Sequence, residues 1–330
     1  MLLRRFRLIS LGSRLRGNDV FTPSLPRRRE PKFGVLTRGF ITLVLAANLA
    51  TAAPTRQEHV DGFRYQIVVA DESGVTRRIV DDLTRRLVPI FSEFRNELAQ
   101  RRRMLYVTIG PAALREVAAR QCDCVVISAF TSSQVVRAIQ ATLPPARAAA
   151  VTAVYAEPAP DDQLRLVSLL YRRPVRVAAI LGLDTAFLKP ALAADGVTVL
   201  ETGLNADINR LLNQIAQTEV LLALPDSAVY NNENFRNILL STYRHKQGVI
   251  GFSGDMVKAG ALATTYSEIG DIDAQVAEIA ASYVAGGELA APQFPRYFRT
   301  VVNEGVARSL DVEVTEAARN FARPAPLKKP

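Results

Sequence analysis

The stretch that decides the fold runs from Leu221 to Leu310 and contains two apolar strands, each ending in small polar residues. The first is Leu221-Leu222-Ala223-Leu224-Pro225-Asp226, and the second is Gly248-Val249-Ile250-Gly251-Phe252-Ser253, which opens into Gly254-Asp255. A helix predicted over 233–243 joins them. Strand, helix and strand in this order form a parallel βαβ unit, and the carboxyl ends of parallel strands face a ligand cleft. The stretch therefore predicts half of a small-molecule site.

The same alternation of short apolar runs and helical stretches continues along the chain from Phe63. Before a break at Arg172-Arg173-Pro174, strands are predicted at 64–70, 105–109, 124–128 and 149–155. After the break, further strands are predicted at 176–181, 198–201, 219–224 and 249–252. This pattern predicts an α/β fold of two lobes, in which each lobe is a mostly parallel sheet flanked by helices.

The charge distribution argues against a nucleic-acid partner. The chain has a formal net charge of +9, but residues 1–34 carry nine Lys or Arg and two Asp or Glu, a net charge of +7. The rest of the chain therefore carries only +2. Nucleic-acid binding needs basic residues clustered on the folded surface, so no nucleic-acid partner is expected.

The N-terminal segment predicts export from the cytoplasm. Residues 1–34 are rich in Arg and Pro and have no periodic apolar pattern, so we expect a non-native or disordered extension. Residues 35–52 contain the uncharged run 39–49 followed by Ala50-Thr51-Ala52, which is typical of a signal peptide and its cleavage site. The alternative is a buried helix or membrane anchor, although the run is short for a span. The expected location is the periplasm, as a soluble protein without a lipid anchor.

The two cysteines, Cys122 and Cys124, are two residues apart. On a strand, side chains at this spacing are poorly placed to bond each other. We therefore expect unremarkable thiols. With only His59 and His245 elsewhere, no zinc-ligand spacing exists, and no metal or cofactor is expected.

The motifs of common α/β enzymes are missing from the sequence. There is no Gly-x-Ser-x-Gly elbow, no GxxxxGK[ST] phosphate loop and no GxGxxG run opening a helix. We therefore do not expect an enzyme, although parallel α/β sheets host many reactions.

Several segments of the chain resemble a known family. They are Leu224-Pro225-Asp226, the run 237–244, Val249-Ile250-Gly251-Phe252-Ser253, the run 258–263, Pro295-Arg296-Tyr297-Phe298 and the run 302–310. Together they are similar to the ABC-transporter substrate-binding proteins, in the periplasmic group that includes tryptophan- and phenylalanine-binding members. A weaker likeness covers 109–115 and Tyr155-Ala156-Glu157-Pro158.

The resemblance implies a type I periplasmic-binding fold, whose two lobes are joined by three chain crossovers and close on a ligand by a hinge. The expected first lobe is 56–171 plus 262–290. The second is 172–261 plus 291–320, and 321–330 is expected to be a disordered tail.

The resemblance also implies that the ligand is held by loops of both lobes. The expected binding residues are Gly110, Ala112, Ser128, Ala129, Phe130, Thr131, Tyr155, Asp226, Tyr230, Asn231, Ser253, Gly254 and Asp255. For an amino-acid ligand, Ser128, Thr131 and backbone N–H groups near Gly110 would bind the carboxylate, and Asp226 or Asp255 the ammonium. At the start of the helix after 128–132, helix capping by Thr131 or Ser132 is an equally good interpretation.

The predicted function is capture of a small molecule for an ABC-type uptake system. The partners are the ligand, which is an amino acid or a related aromatic or polar solute, and an inner-membrane ABC permease; the protein is expected to be a monomer. The alternative is a periplasmic sensor for a membrane signalling protein. The Pro-Gly-Gly-Asn-x-Thr-Gly turn of many family members is missing, and Asp255 stands where a small residue is expected, so the ligand is left open.

Overall fold

The computed structural model describes residues 64–93, 104–203 and 207–326. The predicted extension 1–34, the predicted signal peptide 35–52 and the end of the tail, 327–330, lie outside these ranges. Within them, no helix is both long enough and apolar enough to cross a membrane.

The first sheet has four parallel strands in the order β1-β2-β3-β4. The strands are β1 (Tyr65–Val69), β2 (Met104–Ile109), β3 (Cys124–Thr131) and β4 (Val151–Tyr155). Helix α1 (Gly74–Glu93) follows β1, α2 (Gly110–Ala118) follows β2, and α3 (Ser133–Ala141) and α4 (Pro145–Ala148) lie between β3 and β4. Strand β3 is apolar almost throughout because helices cover both faces of this sheet.

The second sheet has six strands in the order β10-β9-β8-β7-β5-β6. All neighbours are parallel except β10, which is antiparallel to β9. The strands are β5 (Val177–Leu181), β6 (Thr198–Glu201), β7 (Val220–Leu222), β8 (Gly248–Ile250), β9 (Ala263–Tyr266) and β10 (Arg299–Val302). The helices are α5 (Pro160–Tyr171), α6 (Lys189–Ala194), α7 (Ile208–Gln214), α8 (Asn232–Arg244), α9 (Gly254–Ala259), α11 (Glu304–Ser309) and α12 (Glu316–Arg319).

Helix α10 (Ile269–Gly286) belongs to the first sheet although strands of the second sheet precede and follow it. It packs against α1, and Leu83 and Leu87 of α1 share a buried cluster with Val276 of α10. Burying a Leu or Val side chain fully stabilises a fold by about 1.5–3 kcal/mol. The pair of helices therefore closes one face of the first sheet.

The chain passes between the two sheets three times in the described residues, after β4, after β9 and after α10. The predicted lobe boundaries differ from this arrangement at two elements. Helix α5 was predicted to belong to the first lobe, as the end of 56–171. It packs instead in the core of the second sheet, where Leu166 and Leu170 share a buried cluster with Val177. Strand β9 likewise lies in the second sheet, so only α10 of the segment 262–290 returns to the first. An apolar stripe predicts a buried face but does not identify which sheet covers it.

The prediction of two free cysteines is wrong, because Cys122 and Cys124 form a disulfide. The geometry of a regular strand does not apply to them: β3 begins only at Cys124, and the chain bends at Asp123. The expectation for the tail is also wrong where the chain is described. The ring of Phe321 packs 5.0 Å from that of Phe298, and Arg323 pairs with Phe298 through backbone hydrogen bonds.

Candidate ligand-binding site

The carboxyl end of β2 leads directly into α2, and Gly110 is the first residue of that helix. Its φ of +81° lies in the left-handed region, which glycine adopts without the steric cost that a Cβ brings. Ala112 follows in the first turn and is exposed. This turn is therefore open to solvent, as a binding loop requires.

The carboxyl end of β3 carries Ser128, Ala129, Phe130 and Thr131. The Ser128 hydroxyl donates to Thr131 Oγ1 at 3.1 Å, and both residues are buried. Phe130, at φ +57°, produces a bulge that shifts the pairing with β4 between Ala129 and Thr131. The two hydroxyl side chains predicted to bind a ligand carboxylate thus bond each other inside the loop.

A carboxylate from another part of the chain accepts a hydrogen bond from the first turn of α3. Glu157, from the segment after β4, is buried and accepts a hydrogen bond from the Ser133 backbone N–H at 2.8 Å. Burial raises the pKa of Glu157, and hydrogen bonds from Ser133 oppose that rise. Helix capping by Thr131 or Ser132 is the alternative to ligand binding that the sequence leaves open at this turn. Ser132 is the N-cap residue, but its side chain makes no capping bond. Glu157 was missed because its partner lies far away in sequence.

Tyr155, the last residue of β4, forms part of the wall of the first sheet. Its ring meets that of Phe294 edge-on at 5.0 Å, and the residue is buried. Burial raises the pKa of the Tyr155 hydroxyl. The ring therefore packs against the third crossover, where Gln293 bonds the backbone of β4.

Asp226, after β7, is buried and its oxygens already accept hydrogen bonds from the protein. Oδ2 accepts from Thr185 Oγ1 at 2.9 Å, and Oδ1 accepts from the backbone N–H groups of Ala228 and Val229 at 3.1 and 3.3 Å. A carboxylate bonded in this way shapes its own loop. Asp226 therefore holds the turn after β7 against the turn after β5.

Two further predicted residues of the second sheet, Tyr230 and Asn231, have structural roles. Tyr230 packs edge-on against Phe252 at 5.9 Å, and burial raises the pKa of its hydroxyl. Asn231 accepts from the Asn234 N–H at 2.9 Å and caps α8.

Ser253 caps α9 in the same way, by accepting a hydrogen bond from the Met256 N–H at 3.3 Å. Gly254 is the first residue of that helix. The Asp255 side chain is 89% exposed and pairs with Lys258 at 2.9 Å. Asp255 therefore lies on the outer surface of α9.

A cavity of about 550 Å³ lies where the first sheet's helices meet a loop of the second sheet. Its lining is Arg115, Ala118, Ala119, Gln134, Val135, Ala138, Ile139, Thr142, Leu143 and Asp184. Asp184 follows β5, and all the other lining residues belong to α2, α3 or the turns that follow them. The guanidinium of Arg137 on α3 also lies 4.2 Å from the Phe187 ring centroid. Helices α2 and α3 of the first sheet therefore meet the segment after β5 of the second sheet here.

None of the predicted binding residues lines this cavity. Arg115, Gln134 and Asp184 do line it, and sequence reasoning missed all three. For Asp184 a signal existed: Leu181-Gly182-Leu183-Asp184 places an acidic residue just after an apolar strand, as Leu224-Pro225-Asp226 does. Arg115 and Gln134 carried no such signal, because they are polar residues on helix faces.

The comparisons with known proteins give a clear answer only for the fold. No family model and no curated protein matches the chain. Among solved structures, the chain is similar to the ligand-free, open form of a substrate-binding protein with adhesive properties from Clostridium difficile. The TM-score is 0.54 at 14% identity, over 78% of this chain and 97% of that one. The fold is that of a substrate-binding protein.

The predicted two-lobed, mostly parallel α/β fold is thus confirmed. The chain is also similar to the solved structure of an ABC domain in complex with L-Trp from Streptococcus pneumonia. Its TM-score is 0.47 at 14% identity, over 78% of this chain and 97% of that one.

Proposed function

We propose that the chain is a periplasmic solute-binding protein of an ABC-type uptake system. It captures a small molecule between its two sheets, closes by a hinge at the three crossovers and delivers the ligand, as a monomer, to a membrane permease. The observation that carries the proposal is the substrate-binding-protein fold itself, which extends over 78% of the chain. The 550 Å³ cavity at the meeting of the two sheets is of the size that small-molecule sites have.

The cavity lining favours an amino acid or a related zwitterion. Arg115 offers a guanidinium, which binds a carboxylate well. Asp184, in the exposed loop after β5, accepts a hydrogen bond from Ser227 Oγ at 2.8 Å through one oxygen, and the same carboxylate would pair with an ammonium. Val135, Ile139 and Leu143 supply an apolar surface for the rest of the ligand. A ligand that contacts Arg115 and Asp184 together would favour the closed state, because it bridges the two lobes.

The hydrogen bonds already described change the proposed roles of several predicted residues. Ser128, Thr131 and Asp226 bond within the protein, so in this proposal they shape the binding loops. Gly110 and Ala112, in the open turn before Arg115, are proposed to border the ligand.

A thermal-shift screen of the purified protein with amino acids, aromatic acids, purines and small sugars tests the proposal. A ligand at 100 times its Kd stabilises the folded state by about 2.7 kcal/mol. The variants Arg115→Gln and Asp184→Asn should then weaken binding roughly 10- to 100-fold, since each removes a charged partner. Arg77→Gln, on the exposed face of α1, is the control. Failure of every compound to shift the melting temperature would contradict a solute-binding role.

Uptake of the identified ligand by intact cells tests the transport step. Deleting the gene should reduce uptake at ligand concentrations near the Kd. Unchanged uptake with intact binding would favour the alternative role as a periplasmic sensor.

A further inference from the structure

The disulfide between Cys122 and Cys124 lies at the amino end of β3, whereas the candidate binding loop lies at its carboxyl end. The two cysteines are two residues apart. A disulfide stabilises a fold mainly by restricting the unfolded chain, and the restriction grows with the length of the closed loop. A bond that closes so short a loop contributes little in this way, so its presence calls for another explanation.

The two sulfur-bearing residues differ in exposure. Cys124 is buried, with 1% of its surface exposed, whereas Cys122 is partly exposed in the turn before the strand. Thiol–disulfide exchange begins with a thiolate that attacks an accessible sulfur. Attack from solvent is therefore expected at Cys122, and Cys124 is then the leaving sulfur.

Arg147 on α4 is placed to receive that leaving sulfur. Its Nη1 donates to the Cys124 carbonyl at 2.9 Å and lies 3.4 Å from Cys124 Sγ. Its Nη2 is buried and has no hydrogen-bond partner in the part of the chain that the structure describes. A neighbouring guanidinium stabilises a thiolate, and a better-stabilised thiolate leaves faster. A Cys124 thiolate would also give this unpaired donor an acceptor.

We propose that Cys122–Cys124 is a thiol–disulfide exchange site, in which Arg147 stabilises the departing Cys124 thiolate. An external thiolate attacks Cys122 Sγ and forms a mixed disulfide, while the Cys122–Cys124 bond breaks and its electron pair leaves on Cys124. A second external thiolate attacks the external sulfur of the mixed disulfide. An external disulfide is released, and Cys122 leaves as a thiolate and takes up a proton. Two thiols are oxidised and one protein disulfide is reduced.

The first test is reduction of the purified full chain by glutathione, with free thiols counted by alkylation and intact mass. We expect complete, reversible reduction with no change in melting temperature. Peptide mass analysis of the acid-quenched intermediate should place the glutathione adduct on Cys122. Resistance of the folded protein to both glutathione and dithiothreitol would overturn the proposal. So would unfolding on reduction, or an adduct mainly on Cys124.

The second test addresses Arg147. Arg147→Gln should slow reduction and shift the glutathione equilibrium about tenfold toward the disulfide, which is about 30 mV for a two-electron couple. Arg120→Gln is the matched control, because this nearby guanidinium pairs with Glu116. Equal rates for Arg147→Gln and the parent would refute the role of Arg147. If that variant does not fold, Arg147→Lys retains the charge but loses the planar guanidinium, and we expect it to be reduced more slowly than the parent; an equal rate would refute the role of the Arg147 guanidinium.

Discussion

Glu157 and Ser133 are joined by a hydrogen bond of 2.8 Å from the first backbone N–H of α3 to the buried carboxylate. The two residues are 24 positions apart, so the bond ties the first crossover to the start of the helix. A carboxylate at a helix N-terminus is favoured by the helix dipole, whereas burial disfavours its charge. Burial has the larger effect here and raises the pKa of Glu157.

This relationship predicts how stability depends on pH through Glu157. The folded protein holds a proton that the unfolded chain releases above the ordinary pKa of 4.5. The free energy of unfolding therefore falls as pH rises from that value through the raised pKa. Glu157→Gln keeps an acceptor for Ser133 but cannot ionise, so its stability should lack this decline. Urea unfolding across the acid range measures it, with the exposed Glu288→Gln as control. Parallel curves for Glu157→Gln and the parent would contradict the prediction.

Asp273 on α10 should give a second pH dependence. Burial and, next, the Asp82 carboxylate raise its pKa from 3.8 to about 8, and Arg86 opposes the rise. Between these two pKa values the folded protein keeps a proton on Asp273 that the unfolded chain has lost. Asp273 therefore lowers the unfolding free energy of the parent by about 1.4 kcal/mol for each pH unit of rise. Asp273→Asn should therefore gain stability over the parent as pH rises toward 8, as measured by chemical denaturation. The exposed Asp255→Asn should follow the parent, and a constant gap between Asp273→Asn and the parent would show that Asp273 does not titrate there.

Gly182 lies against Asp226, which allows a test of the loop after β7. A Cβ at Gly182 would collide with the carboxylate of Asp226 that holds Thr185 and the backbone of the next turn. We expect Gly182→Ala to destabilise the fold by about 1–3 kcal/mol, as overpacking does. Urea denaturation measures the loss. Gly74→Ala is the control, since a Cβ at Gly74 meets no atom within 4 Å. Equal stability of the two variants would show that Asp226 can move freely.

Gln163 on α5 should be needed to hold α5 on the second sheet. Its Nε2 donates to the Gly251 carbonyl at 2.6 Å, and its Oε1 accepts from the Thr265 N–H at 3.0 Å. Gln163→Leu removes these buried bonds at similar volume and should cost about 1–3 kcal/mol. The exposed Gln121→Leu should change stability by less than about 0.5 kcal/mol. A Gln163→Leu variant as stable as the parent in denaturant would contradict this prediction.

The sequence predicted the strands well because apolar runs such as 124–128 can be buried only inside a covered parallel sheet. The assignment of helices to one lobe or the other was harder to predict from the sequence. The apolar stripe of α5 is the same whether it packs on one sheet or the other, and the bond from Gln163 to Gly251 joins residues 88 positions apart. The residues of the binding site were the hardest to predict. Asp226 follows a strand as a ligand-binding residue would, but its oxygens bond Thr185 and the backbone of its own loop.

The return of α10 to the first sheet determines how the molecule can be divided. A fragment that stops at the first crossover would lack α10 and would expose the side of α1 that carries Leu83 and Leu87. Contiguous apolar surface of that kind promotes aggregation. A continuous fragment from α5 to α12 contains all of the second sheet. It would also contain α10, which would then have no first sheet to pack against. Recombinant expression of either lobe alone therefore requires the chain to be rejoined by design. In the first lobe α10 has to be linked to the end of β4, and in the second lobe the end of β9 has to be linked to β10 without α10.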